Sequence, residues 1–350
     1  MVPVILRETD PGAPVLNGTD GSLYNVVKWA LPQLGWTIEF DNGVDTIAFR
    51  NNPLTGSGYY LQIDDNSADH SRDARFARVR GFETMSALGV GTREFPTLQE
   101  RAWAKSSTLD NTPREYYFIG TDTFFYFGTW NDRVDRSTGY RTYCAGDFIP
   151  YSANDPGTFM IASGRCPSLS DYSVSSGLAA AGIGYWASNE TDFSVGNQLL
   201  YALAKSFDGT INGDSGYLIC STNTVSTNTS ISHRNNGAHE LGSTGDPDLI
   251  TGSLPYSRLE IFAEASSGNL IFQRRGYLPG IVNPLNALTY NEYRQGISPY
   301  NNFDVLSGLN NGKQLADFAL IWGNYYFGAS NSTGGNFAYM IDITSDWENW

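Results

Sequence analysis

The residues with the most chemical promise in this chain form a short run, Gly213-Asp-Ser-Gly216, which has the pattern of a nucleophilic serine held on a tight turn. A serine hydroxyl becomes a nucleophile when a histidine takes its proton and an aspartate orients that histidine. His70 is the one histidine upstream of Ser215 and sits in a charged stretch, and Tyr217 follows where chymotrypsin-like enzymes continue with Gly-Pro. A Gly-Asp turn between strands accounts for the run.

The acidic group Asp64, Asp65, Asp69 and Asp73 offers the oxygen ligands a hard cation needs, but without EF-hand spacing or its central glycine. Arg72, Arg75, Arg78 and Arg80 follow closely, so cross-strand ion pairs explain the acids more simply. His233 and His239 stand six residues apart in a polar stretch with no cysteine nearby, which fits solvated loop histidines better than zinc. Gly89-Val-Gly91 and Gly182-Ile-Gly184 each supply a fragment of a phosphate-cradling loop, and neither completes one. Paired carboxylates for sugar hydrolysis are defined by distance in space. With 36 acids in the chain, sequence alone does not single out a pair. No catalytic residue, cofactor or metal is therefore expected.

Composition points to architecture. The chain of 350 residues has 21 Tyr, 19 Phe and 8 Trp beside four lysines, Lys28, Lys105, Lys205 and Lys313. Such a balance suits a β-rich protein with large packed or docked aromatic surfaces. The net charge of −14 argues against a nucleic-acid partner, which needs a positive footprint. Most of the 22 basic residues are arginine, whose planar fork suits fixed carboxylate contacts. Cys144, Cys166 and Cys220 are odd in number and lack C-x-x-C spacing, so neither a disulfide framework nor structural zinc is expected. The first ten residues lack the pattern of a secretion signal, and no apolar run is long enough for a membrane span. Folding in a cytoplasm without a membrane partner is the expectation.

The elements follow from periodicity. Pro3, Pro11 and Pro14 predict an extended arm over residues 1–20, of the kind that lies on a neighbour. Leu23, Val26, Val27, Ala30 and Leu34 predict a helix from Ser22, disturbed at Pro32 and stopped at Gly35. Thr97-Leu-Gln-Glu100 has the form of a capping box and predicts a second short helix ending near Ser106. Alternation over Gly58–Asp65 predicts a half-buried strand, with Ala74–Phe82 as its antiparallel return. Tyr117, Phe118, Phe124, Phe125, Tyr126 and Phe127 flank a Gly120-Thr-Asp122 turn, giving a hairpin aromatic on both faces. It belongs inside a sandwich or under a partner.

Residues 21–167 thus read as a β-rich domain with two short helices, with Cys166-Pro167 as the seam to a second β-rich half over 168–350. That half contains hairpins over 259–274 and 315–344, a polar loop over 221–248, and a tail ending in Trp347 and Trp350. The fold class is mainly β, as antiparallel sandwich-like sheets. The aromatic hairpin, Trp347 and Trp350 are the candidate assembly contacts.

Ordered motifs add a resemblance. Gly21–Trp36, Gly58–Asp65, Ala77–Met85, Trp103–Ser107, Tyr117–Phe127, Gly146–Tyr151 and Arg275–Gly280, followed by Pro284-Leu285, are similar to a family of tailed-bacteriophage structural proteins. The likeness covers most of residues 10–165 and a shorter piece near 253–290, and no catalytic residue travels with it. It implies a virion component whose partners are other virion proteins and copies of itself. Two other readings stay open: a receptor- or glycan-binding tip that meets host surface sugars, and a glycan hydrolase.

Overall fold

The computed structural model describes residues 1–68, 74–95, 101–106, 108–130, 140–155, 157–165, 200–203, 216–218, 256–264, 272–284, 305–307, 317–324 and 336–349. In chain order the first half forms β1 (Val4–Arg7), α1 (Ser22–Gln33), β2 (Thr37–Asp41), β3 (Thr46–Arg50), β4 (Tyr60–Asp64), β5 (Phe76–Phe82), β6 (Thr84–Ala87) and β7 (Val90–Thr92). It continues with β8 (Arg101–Ala104), β9 (Tyr116–Gly120), β10 (Phe124–Trp130), β11 (Tyr140–Asp147), β12 (Ile149–Pro150) and β13 (Phe159–Arg165). The second half contributes β14 (Leu200–Leu203), β15 (Gly216–Leu218), β16 (Tyr256–Glu264), β17 (Phe272–Pro284), β18 (Val305–Ser307), β19 (Asp317–Asn324) and β20 (Asn336–Asp342). The chain is mainly β, antiparallel and sandwich-like.

One sheet runs β2-β3-β4-β5-β8-β13. The other runs β1-β9-β10-β11-β13-β14-β15-β16-β17-β20-β19-β18, with β12 also laid on β17. Strand β13 belongs to both: its Phe159–Ser163 part serves the second sheet, and Gly164 and Arg165 pair with β8 in the first. The ladders β13–β14 and β12–β17 join the two expected halves, while Cys166 and Pro167 lie outside the described residues.

Helix α1 buries Leu23, Tyr24, Val26, Val27, Ala30 and Leu31. They share one cluster with Ile47, Phe49, Leu61 and Ile63 of the first sheet and Phe118, Phe125 and Phe127 of the second. Pro32 lies inside the last turn, and Gly35, at φ 99°, ends the helix. That backbone region is easily reached only by a residue without Cβ. The β4–β5 hairpin pairs Leu61 with Gly81 and Ile63 with Val79, and the hairpins β16–β17 and β19–β20 also form.

Two expectations need correction. The second helix, expected to end near Ser106, is a strand where it is described: Arg101–Ala104 forms β8 between β5 and β13. A capping box contributes about 1 kcal/mol of local hydrogen bonding, whereas complete burial of Ala102 and Trp103 in a ladder contributes more. The N-terminal segment is extended but lies on this chain's own body. Strand β1 pairs along β9, and Leu16 bridges Arg114.

Candidate functional site

The aromatic hairpin shows where the expected contact residues go. Tyr117, Phe118, Phe124, Phe125, Tyr126 and Phe127 are all buried within this chain. Phe118 and Phe127 stand opposite each other in the ladder and stack at 4.8 Å, while Trp36 meets Phe125 edge-on at 5.3 Å. The other face is covered by β17 and the C-terminal turn. The Tyr126 hydroxyl donates to Pro279 O at 2.7 Å, and the Trp347 ring packs edge-on against Tyr126 at 5.8 Å. Both faces are aromatic because both are covered by the chain itself, so these side chains are spent on the core. Trp347 is buried in its own chain, and Trp350 lies outside the described residues.

The remaining motifs disperse. Asp65 sits fully buried at the start of α1, where its Oδ2 accepts from the backbone N–H groups of Leu23 (2.7 Å) and Tyr24 (3.1 Å). Its Oδ1 accepts from Lys105 Nζ, which also donates to Thr19 O at 2.6 Å. Burial pushes the Asp65 carboxyl up to about 6, against the Lys105 ammonium and the two backbone donors. This aspartate caps a helix that lacks a local side-chain cap. Asp64 stands opposite Arg78 in the β4–β5 ladder, and Asp69 and Asp73 lie outside the described residues.

Among the described residues, no three His, Cys, Asp or Glu side chains gather as a metal site, and no helix is long and apolar enough to cross a membrane. Gly89 forms the β6–β7 turn, where its N–H donates to Gln62 Oε1 at 2.7 Å. Cys144 is fully buried in β11. His70, His233, His239, Gly182–Gly184, Gly213–Ser215, Cys166, Cys220 and the stretch 221–248 all lie outside the described residues.

A cleft of about 400 Å³ opens beside the β9–β10 turn. Five hydroxyl side chains line it: Thr55 and Ser57 from the loop after β3, Thr121 and Thr123 from the β9–β10 turn, and Thr158 before β13. Asp147 stands among them at the end of β11, and Phe148, Ile149 and Pro150 supply an apolar side. Pro279 of β17 and Trp347 with Glu348 of the C-terminal 3-10 turn complete the lining.

Asp147 is held by its neighbours. Oδ2 accepts from Asn51 Nδ2 at 2.6 Å and Ser57 N at 2.7 Å, and Oδ1 accepts from Thr158 Oγ1 at 2.9 Å. Burial raises its carboxyl above the ordinary value, opposed by these donors. The loop presses close: a Cβ at Gly56 would fall 2.5 Å from Asp147 Oδ2, so only glycine fits there. Asp122, between the two lining threonines, accepts on Oδ2 from Asn52 Nδ2 (2.6 Å) and Thr55 Oγ1 (3.0 Å). Asn51 Oδ1 and Asp122 Oδ1 are buried and accept no hydrogen bond from the protein.

Sequence reasoning did not single out this cluster, because its members lie at residues 51–57, 121–123, 147–158 and 279, and again at 347–348. The one local signal is Thr121-Asp-Thr123, a polar turn inside the most aromatic stretch of the chain.

The fold and cleft together define a β-rich, sandwich-like protein with a polar, hydroxyl-lined concavity. No protein-family model matches this chain, and no curated protein matches its sequence.

Proposed function

We propose that the chain is a non-enzymatic structural component of a tailed-bacteriophage virion, a decorating or connecting subunit on the head or tail, made in the host cytoplasm. One observation carries this reading beyond the resemblance itself: the separate segments that bear the likeness pair with one another. Gly58–Asp65 lies beside Ala77–Phe82, Trp103 lies opposite Ala77, and Tyr117–Gly120 pairs with Phe125–Gly128. The distant piece joins the rest at Ile149 and Pro150, which pair with Tyr277 and Gly276. The likeness therefore describes a framework of paired strands, as expected of a building unit.

Neighbouring subunits would meet exposed side chains, since the aromatic hairpin and Trp347 serve this chain's own core. Closed symmetric contacts between copies would follow the usual rules of oligomers, and a net charge of −14 would keep free subunits apart in solution. Electron cryo-microscopy of purified particles tests the reading by locating the chain and counting its copies. Many copies on a lattice would support decoration, and absence from the particle would sink the proposal. The hydroxyl-lined cleft favours a second reading, host-surface recognition, which predicts few copies at the distal tail.

A further inference from the structure

We infer that the cleft between Ser57, Thr123, Asp147 and Trp347 is a binding site for a neutral saccharide. The inference rests on the cleft alone and not on a place in a virion. Small-ligand sites are clefts of roughly 300–1,000 Å³ with apolar walls and a few convergent polar groups, and this one holds about 400 Å³.

The polar groups suit a polyol. A sugar hydroxyl both donates and accepts, so it pairs best with a lining that offers both. Thr121 and Thr123 Oγ1 lie 3.2 Å apart and can exchange donor and acceptor roles. Thr55 gives its proton to Asp122 and keeps its acceptor lone pairs. Asp147 Oδ1 receives one protein donor and retains acceptor capacity for a second. Behind these groups, Asn51 Oδ1 and Asp122 Oδ1 are buried acceptors with no donor from the protein.

Half-buried Ile149 and Pro150 give the cleft an apolar side for sugar C–H faces.

Charge selects a neutral ligand over an ionic one. Asp147 and Glu348 line the cleft, and no Lys or Arg is among its described lining residues, so an anionic sugar or a phosphate would meet repulsion. A bare cation is disfavoured because Asn51 Nδ2, Ser57 N and Thr158 Oγ1 already point hydrogens at the Asp147 oxygens.

Saturation-transfer NMR on the full chain, with maltotriose, mannotriose and triacetylchitotriose at millimolar concentration and sialyllactose as the acidic counterpart, tests this. At least one neutral trisaccharide should bind saturably and better than sialyllactose. Ile149→Ala, which trims the half-buried apolar side of the cleft, should weaken that binding by about tenfold. Thr123→Val, which removes a lining hydroxyl at nearly constant volume, should weaken it as well. Absence of transfer to all three neutral sugars would overturn the inference, as would stronger binding of sialyllactose or undiminished binding by both variants. Any of these results would leave the particle-location test of the virion reading unaffected.

Discussion

Two hairpins in the first half of the chain share a plan and differ in everything that surrounds them. The β9–β10 hairpin has aromatic side chains on both faces and buries Tyr116, Tyr117, Phe118 and Phe124 to Phe127. The β6–β7 hairpin, Thr84–Ala87 with Val90–Thr92, stands exposed on both faces as a separate two-stranded sheet, and Val90 is 56% accessible. Hairpin geometry is local, but its stability is borrowed from whatever covers it. An isolated two-stranded hairpin is marginal in water. The first hairpin is covered by α1 and the first sheet on one side, and by β17 and Trp347 on the other. The second is tied to the body through Gly89 N–H on Gln62 and the Glu83 N–H on Thr92 O at 3.0 Å.

This contrast breaks most easily at its buried end. Phe118→Ala should cost about 4 kcal/mol, the range for a large aromatic removed from a packed core, because Phe118 is fully buried against Phe125 and Phe127. Val90→Ala in the exposed hairpin should change stability by less than about 0.5 kcal/mol. Urea unfolding of both variants is the check, and similar losses would mean that the exposed hairpin is covered in solution.

The fully buried Lys105–Asp65 pair, which fastens α1 to the body, comes next. Lys105→Met leaves Asp65 without its countercharge and should cost about 3 kcal/mol at pH 8. The sign of the pH dependence follows from linkage. The folded-state carboxyl is raised from 3.8 to about 6 in the parent, so its contribution to stability is full below pH 4 and lost as pH rises toward 6. Without the ammonium the carboxyl rises further, and the variant goes on losing stability above pH 6 after the parent has levelled off. Denaturant midpoints of the two proteins should therefore converge near pH 4 and separate toward pH 8. A constant gap would show that Lys105 acts through packing alone.

Much of this architecture was legible in the sequence where the cause was local or periodic. The 3.6-residue spacing of Leu23, Val26, Val27 and Ala30 marks α1, and alternation marks β4 and its return in β5. What escaped was whatever depends on partners far along the chain. The cap of α1 comes from Asp65, over forty residues away, so no N-cap signal stands at Gly21. Trp103 belongs to a strand because β5 and β13 flank it, against its own local capping signal. The cleft was hidden for the same reason, since Asn51 meets Asp147 across 96 residues. The two faces of the aromatic hairpin looked alike in sequence, and only the fold shows that Pro279 and Trp347 cover the second one.

That second cover is testable at Gly280. Its φ is 66°, and an added Cβ would lie 2.2 Å from the Trp347 ring. Gly280→Ala combines backbone strain with overpacking and should cost about 2 kcal/mol. Displacement of the indole should appear as a red-shifted tryptophan emission, and an unchanged spectrum would mean that β17 moves in place of the ring.

The smallest effect tests whether the two hairpins are energetically separate. Gly89 has φ 70° at the β6–β7 turn, and a Cβ there would lie 3.4 Å from Arg80 Nη2, an ordinary contact. Gly89→Ala therefore introduces backbone strain of about 1 kcal/mol and little else. If the exposed hairpin opens as a unit of its own, that strain belongs to a local equilibrium. The Glu83 amide, which closes the hairpin on Thr92 O, should then exchange its hydrogen about fivefold faster, the factor that about 1 kcal/mol produces. Amides of the buried ladder, such as Phe118 and Phe127, should be unaffected. Should the whole cost appear in global unfolding, with exchange at Glu83 no faster than the rest, the exposed hairpin would be part of the same cooperative unit as the aromatic one. Surface exposure would then have ceased to report local stability in this fold.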